Sequence, residues 1–333
     1  MFPIIRKFNP YPLLCNYYIT TKCNARCSFC DIYKQKGVHA NFENIKTNLE
    51  DLKKIGVRFI DFTGGEPLMH PHIRNILFYA KKLGFITTIT TNCILYPDLA
   101  ANIKGLVDLL HFSLDAPDKQ VHDKIRGVKC FDKVMKSIEV AQSLGEKPDI
   151  LFTITEENII YLDQMIQFAQ KNHLMLLCNP VFSYFENPGL KHDSLNRILS
   201  YSSEPYVYIN RGILRFMKKG GNNTHYPRCK AVSTTIVISP DDHLLLPCYH
   251  KSSQKIPINN QLFTLYFSKR VRYFKKMEGR FPFCEGCSIS CYFDPSFTYG
   301  IDDYFLLSQL SKVKYCYDKF IRNVLGRKIK TDF

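Results

Sequence analysis

Three cysteines within eight residues, Cys23-Asn-Ala-Arg-Cys27-Ser-Phe-Cys30, are the part of this sequence with the clearest capacity for chemistry. Thiolates are soft ligands that suit iron–sulfur clusters or zinc. Three of them cannot complete a four-ligand site, so a metal centre held here keeps one position open, as a catalytic metal does. A structural zinc with a distant fourth ligand is the plainer alternative. Such zinc sites usually pair cysteines as two CxxC knuckles, and CxxxCxxC departs from that pattern. A second compact group, Cys284-Glu-Gly-Cys287-Ser-Ile-Ser-Cys291, lies near the other end, with Cys229 and Cys248 upstream. A zinc ribbon is the plainer reading there. Cys15, Cys93, Cys130, Cys178 and Cys316 are isolated and read as small apolar core residues.

Polar residues cluster at four further places. Gly64-Gly65-Glu66-Pro67 follows an apolar stretch. Paired glycines let a ligand approach the backbone closely, and Glu66 offers an acceptor for a cationic amine. Thr90-Thr91-Asn92 and Ser113-Leu114-Asp115 supply hydroxyl, amide and carboxylate groups. Arg126 precedes Gly127. His70, His72, His111 and His122 read as structural or solvent-facing residues.

Taken together, the CxxxCxxC spacing, the aromatic Phe29 before its third cysteine and the Gly-Gly-Glu-Pro segment resemble the radical S-adenosylmethionine (SAM) superfamily. The resemblance implies a [4Fe-4S] cluster on Cys23, Cys27 and Cys30, with SAM on the open iron. It implies reductive cleavage of SAM to methionine and a 5′-deoxyadenosyl radical, which abstracts a substrate hydrogen. It further implies that Gly64, Gly65, Glu66 and Pro67 contact the SAM amino group, that Ser113 lies at SAM and that Arg126 lies near the SAM carboxylate. Phe29, Thr91, Asn92 and Asp115 complete the cofactor-binding set. The second cysteine group resembles the SPASM and twitch auxiliary domains. It departs from them in carrying Asp241-Asp242-His243 where a hairpin glycine is usual, and in falling short of the full SPASM cysteine set. Four of Cys229, Cys248, Cys284, Cys287 and Cys291 are expected to hold a second [4Fe-4S] cluster, closed if four ligate and open if three do.

Chemistry at these positions needs elements to hold it. Strand-like stretches occur at Leu14–Thr20, Val57–Phe62, Phe85–Thr91, Leu106–Leu114, Asp149–Thr155 and Leu174–Cys178. Helix-like stretches lie between them, near 43–55, 71–83, 97–104, 131–144 and 158–172, the last with Asn158 as N-cap. Alternating strands and helices imply a parallel sheet with right-handed crossovers. The first cysteine group, the Gly-Gly-Glu-Pro segment, Thr90–Asn92 and Ser113–Asp115 fall at four successive strand ends, where α/β proteins gather function. Periodicity fits a flat sheet and a curved one equally. With the resemblance, the expected fold is α/β, a partial (β/α)6 TIM-type barrel with a small C-terminal auxiliary cluster domain. The expected division is a core over 1–180, a bridging helical segment over 181–225, with helices near 192–200 and 208–219, and an auxiliary domain and tail over 226–333. In that last part a hairpin of Thr234–Ser239 and Leu244–Cys248 precedes a helix near 264–277 and a cysteine-rich loop.

The formal net charge is +15, but the basic residues are spread, with modest clusters at Lys218-Lys219, Lys269 to Lys276 and Arg327 to Lys330. A lysine-rich composition explains this, and nucleic-acid binding is not expected. No apolar run is long enough to span a membrane and no signal peptide is visible, so a cytoplasmic location is expected. Expected partners are a reducing protein such as flavodoxin or ferredoxin and a substrate. The leading expectation is modification of a peptide or protein, with a separate recognition protein supplying peptide binding. The alternative is a small-molecule, cofactor or lipid biosynthetic reaction. A non-enzymatic iron–sulfur or zinc protein is the reading from another class.

Overall fold

A computed structural model describes residues 11–183 and 187–322 of the chain. The basic cluster from Arg327 to Lys330 lies outside the described residues.

The first half repeats a strand–helix unit. Strand β1 (Leu14–Thr20) is followed by helix α1 (Phe42–Ile55), β2 (Phe59–Gly64), α2 (Ile73–Lys82), β3 (Ile86–Thr91), α3 (Tyr96–Ile103) and β4 (Leu109–Ser113). Then come α4 (Lys119–Arg126), α5 (Phe131–Ser143), β5 (Asp149–Ile154), α6 (Leu162–Asn172) and β6 (Leu176–Pro180). Helix α1 illustrates why these segments fold as they do. Asn41 caps its start by accepting from the Glu43 and Asn44 amides, and Gly56, at φ 101°, ends it in a left-handed turn. Ile45, Leu49, Leu52 and Ile55 recur along one face and are buried against the sheet. Each such side chain contributes about 1.5–3 kcal/mol of burial free energy.

Strands β1 to β6 lie in sequential parallel order and are joined by the short β7 (Val207–Tyr208). On the other edge, β8 (Thr235–Ile238) pairs parallel to β1, and β9 (His243–Leu246) and β10 (Gln254–Pro257) add antiparallel strands. This is the expected α/β barrel-type sheet, with one addition. The hairpin next to the second cysteine group does not stand apart from the barrel sheet but extends it. The sheet's outer face, with Tyr17, Ile60, Phe62, Ile89, Phe112 and Phe152, forms the main core with the helices. Its inner face is more polar, because the alternation along a strand sends Asn16, Asp61, Thr88, Thr90, His111 and Ser113 the other way.

Between β6 and β8 lie α7 (His192–Ser200), α8 (Arg211–Lys218) and α9 (Ala231–Thr234). The helix expected near 264–277 is two helices, α10 (Leu262–Tyr266) and α11 (Lys269–Lys276). The break falls where the Ser268 side chain caps α11 by accepting from the Val271 amide. Cys291 is not in a loop but in the first turn of α12 (Ser290–Ser296). Helix α13 (Asp303–Cys316), which periodicity did not single out, continues into one π-helical turn over Tyr317–Arg322. That turn packs under the inner face, where Lys319 pairs with Asp149 at 2.6 Å and Tyr315 donates to the same carboxylate. Asn158 does not cap a helix. It is fully buried, accepts from the Thr155 amide and donates to the Asp115 and Thr153 carbonyls, so it ties two strand ends together. No helix among the described residues is long and apolar enough to cross a membrane.

Candidate cluster and cofactor sites

The loop after β1 carries Cys23, Cys27 and Cys30, all partly exposed. It is fastened on both sides by backbone. Gly65 and Glu66 donate their amides to the Thr20 and Lys22 carbonyls, and Arg26 and Ser28 donate theirs to the Arg126 and Ile125 carbonyls at the end of α4. A side chain at Gly64 or Gly65 would put its Cβ 1.9 Å from the Thr20 oxygen or 2.1 Å from the Lys22 oxygen. The backbone they admit so closely is the chain's own cysteine loop. Gly127 plays the same part on the other side, with φ +63° and a Cβ position 2.5 Å from the Arg26 oxygen.

The side chains expected around the cofactor form a connected layer beneath this loop. Glu66 is 2% exposed, and its carboxylate accepts from the Thr91 hydroxyl and from the Asn92 and Leu68 amides. A carboxylate has about four lone-pair sites, so three are already engaged. Burial pushes its pKa up to about 7 against those hydrogen bonds. Pro67 is buried and opens the short turn that Glu66 caps. Asn92 donates from its side chain to Asn24 in the cysteine loop at 2.7 Å.

Asp115 is fully buried, accepts from the Thr153 amide and pairs with Arg126 at 2.7 Å. Burial raises its pKa against the pull of the Arg126 charge. Arg126 is itself 6% exposed, lies 5.5 Å from the Phe29 ring centre and sits with a guanidinium nitrogen 3.6 Å from the Cys27 sulfur. One cation thus neutralises a buried carboxylate and faces a thiol expected to ligate iron. Ser113 is 5% exposed on the inner face, and its hydroxyl has no hydrogen-bond partner among the described residues.

The three thiols fit a cluster. Cys23 feels both Cys27 and Cys30 electrostatically, and burial pushes it up to about 11. Backbone amides of Ala25 and Ile32 point at Cys23 and Cys30. Such amides stabilise thiolate sulfur and tune a bound cluster. His122, Asp123 and Cys130 also converge. That group is not a metal site, because His122 Nδ1 accepts from the Asp115 amide. The ring proton is then on Nε2, which donates toward the Cys130 sulfur 3.4 Å away.

The second group is more enclosed. Cys229, Cys248, Cys284 and Cys287 line one small cavity, walled otherwise mainly by Ala231, Pro247, Phe283, Ile289 and Phe293. Burial raises all four thiols, Cys248 to about 12 and Cys284 to about 11. Four desolvated soft donors around an apolar hollow fit a closed thiolate-ligated centre, whose metal would displace the protons. Cys291 does not line that cavity. It lies within electrostatic range of Cys248 and Cys287 on one side and of Asp61 on the other.

Two parts of this site escaped the sequence reading. Asn222, in the segment expected only to bridge the two parts, is 1% exposed. Its side chain donates to the Gly279 and Cys284 carbonyls and accepts from the Arg228 and Cys229 amides, while its backbone exchanges hydrogen bonds with Gly286 and Cys287. The other is Tyr249, next to Cys248, which stacks on Tyr18 at 3.9 Å and 6°. Its hydroxyl accepts from Gln35 in the first cysteine loop. The only sequence signals were a Gly-Gly pair before Asn222 and the neighbouring cysteine for Tyr249.

Comparisons with known proteins agree with this geometry. Residues 17–169 match the profile of the Radical SAM superfamily. A protein of Sulfurisphaera tokodaii named Probable GTP 3',8-cyclase is 28% identical over 266 residues, spanning 72% of this chain and 82% of that one. Its namesake in Saccharolobus solfataricus is 29% identical over 197 residues, spanning 55% of this chain and 62% of that one. Among solved structures, Streptococcus suis SuiB bound to S-adenosylmethionine superposes with a TM-score of 0.63 at 19% identity, covering 80% of this chain and 68% of that one. The anSMEcpe protein with bound AdoMet gives 0.63 at 15% identity, covering 95% of this chain and 100% of that one.

Proposed function

Because this chain is a radical SAM enzyme, we propose that it acts on a small molecule in a cofactor-type biosynthetic reaction, with Cys23, Cys27 and Cys30 holding the SAM-binding [4Fe-4S] cluster. When bound and reduced, that cluster supplies the electron that cleaves SAM to methionine and a 5′-deoxyadenosyl radical. Cys229, Cys248, Cys284 and Cys287 hold a second, closed cluster. Arg126 opposes the charge of the Cys27 thiolate and fixes the ring of Phe29. Glu66, Thr91, Asn92 and Asp115 hold the loops that carry the cofactor contacts, and the free hydroxyl of Ser113 faces the cofactor or the substrate. A low-potential donor such as flavodoxin or ferredoxin supplies the electron. The core spans 1–180, and the second cluster domain begins near 226 but takes Asn222 as part of its site.

The observation that carries the small-molecule reading is how the second cysteine group closes on the barrel. Tyr249 stacks on Tyr18 of β1, Ser290 donates to Asn179 of β6, and Tyr249 bonds the first cysteine loop through Gln35. The inner face of the sheet carries Asn16, Asp61, Thr88, Thr90 and His111, a polar lining that suits a small polar substrate. The named cyclase relatives support the same reading over peptide modification. The test is anaerobic turnover. Reconstituted protein, SAM and dithionite should yield 5′-deoxyadenosine, and metabolite-sized fractions should raise that yield and be consumed. Stimulation by peptides alone refutes the small-molecule reading.

A further inference from the structure

The inner face of the sheet carries one carboxylate with no evident structural task. Asp61 sits mid-way along β2, in register between Asn16 of β1 and Thr88 of β3. Its neighbours Ile60 and Phe62 are fully buried in the main core, so alternation turns Asp61 to the lumen. It keeps some exposure there, yet the surrounding protein desolvates it and raises its pKa to about 7, so it ionises fully only when a cation joins it. Among the described residues, no hydrogen bond or ion pair reaches its carboxylate. The other inner-face carboxylate behaves differently, since Asp149 is 1% exposed and held by Lys319, Tyr315 and His111. Those groups are already committed to Asp149, and burial holds His111 toward its neutral form. Around Asp61 the facing groups are Asn16, Thr88, Tyr18 and Cys291, none of them a cation.

An unpaired carboxylate in such a place is costly unless something completes it. We propose that Asp61 is the specificity-determining charge of the substrate lumen, and that it takes a cationic nitrogen group of the substrate and rejects phosphate. The inference deepens the small-molecule reading and rests on it. It also separates this chain from a reaction on a nucleoside triphosphate seated against β2. A phosphate a few ångströms from Asp61, with no neighbouring cation to shield it, loses on the order of tenfold or more in affinity. A guanidinium or ammonium group gains by a similar factor.

The probes are agmatine, a small guanidinium compound, and GTP. Anaerobic equilibrium binding is measured on the reconstituted full chain as wild type, as the isosteric Asp61→Asn and as Asp61→Ser. Iron content and the thermal midpoint check that each variant folds. Agmatine should bind wild type about tenfold more tightly than either variant, and GTP should bind both variants about tenfold more tightly than wild type. If agmatine binds wild type no better than the variants, detectable or not, the proposal fails. SAM-dependent conversion of GTP by wild type also overturns it, while leaving the small-molecule reading intact. Turnover restricted to peptides would instead remove that reading itself.

Discussion

Replacing Gly127 by alanine should unseat the first cysteine loop without touching a thiol. Gly127 has φ +63°, where a side chain costs about 1–2 kcal/mol. Its new Cβ would stand 2.5 Å from the Arg26 carbonyl oxygen and 3.1 Å from the carbonyl carbon, both backbone atoms that no rotamer change can move. The loop must retreat by roughly 1 Å to reach ordinary contact. That retreat breaks the two 2.9 Å hydrogen bonds from Arg26 and Ser28 to the end of α4. At about 0.5–1.5 kcal/mol each, the sum is about 2–5 kcal/mol. Gly145→Ala supplies the control, because Gly145 has φ +78° but nothing within 4 Å of its Cβ position. It should cost only the conformational part. Urea unfolding of the reduced, metal-free chains measures both costs, and iron per chain after reconstitution reports the loop. Gly127→Ala should lose the more stability and about half of the iron. Equal destabilisation of the two variants with wild-type iron content would refute the fastening described for this loop.

Arg126→Met should cost about 3–5 kcal/mol, because it leaves Asp115 buried without its cation. Adding Asp115→Asn should restore part of that stability in the same urea experiment, and failure to do so would mean the pair is not the source. Glu278 gives a pH signature. It is 2% exposed beside the four-thiol cavity, and burial raises its pKa to about 7. A folded-state carboxyl above its unfolded value near 4.5 binds its proton more tightly when folded, so its contribution is full below about pH 4.5 and is lost as pH rises through about 7. Glu278→Gln should therefore flatten the fall in urea stability between pH 5 and 8, and an unchanged slope would contradict this.

Much of this protein was legible along the chain. The six core strands and most of their helices follow from local periodicity, since each must bury one face. Cys23, Cys27, Cys30 and Cys284, Cys287 are close in sequence, so their spacing alone declares a soft-ligand site. What the sequence could not decide concerns partners far apart in the chain. Cys229 and Cys248 meet Cys284 and Cys287 only through the hairpin at β8 and β9, while Cys291, in the first turn of α12, packs beside them without lining their cavity. Glycines 64, 65 and 127 declare freedom of backbone, but only the tertiary contacts show that the cysteine loop is what needs it. Asp61 reads as an ordinary charged residue in a strand. Its isolation is a property of everything packed around it, and no local pattern encodes the absence of a neighbouring cation.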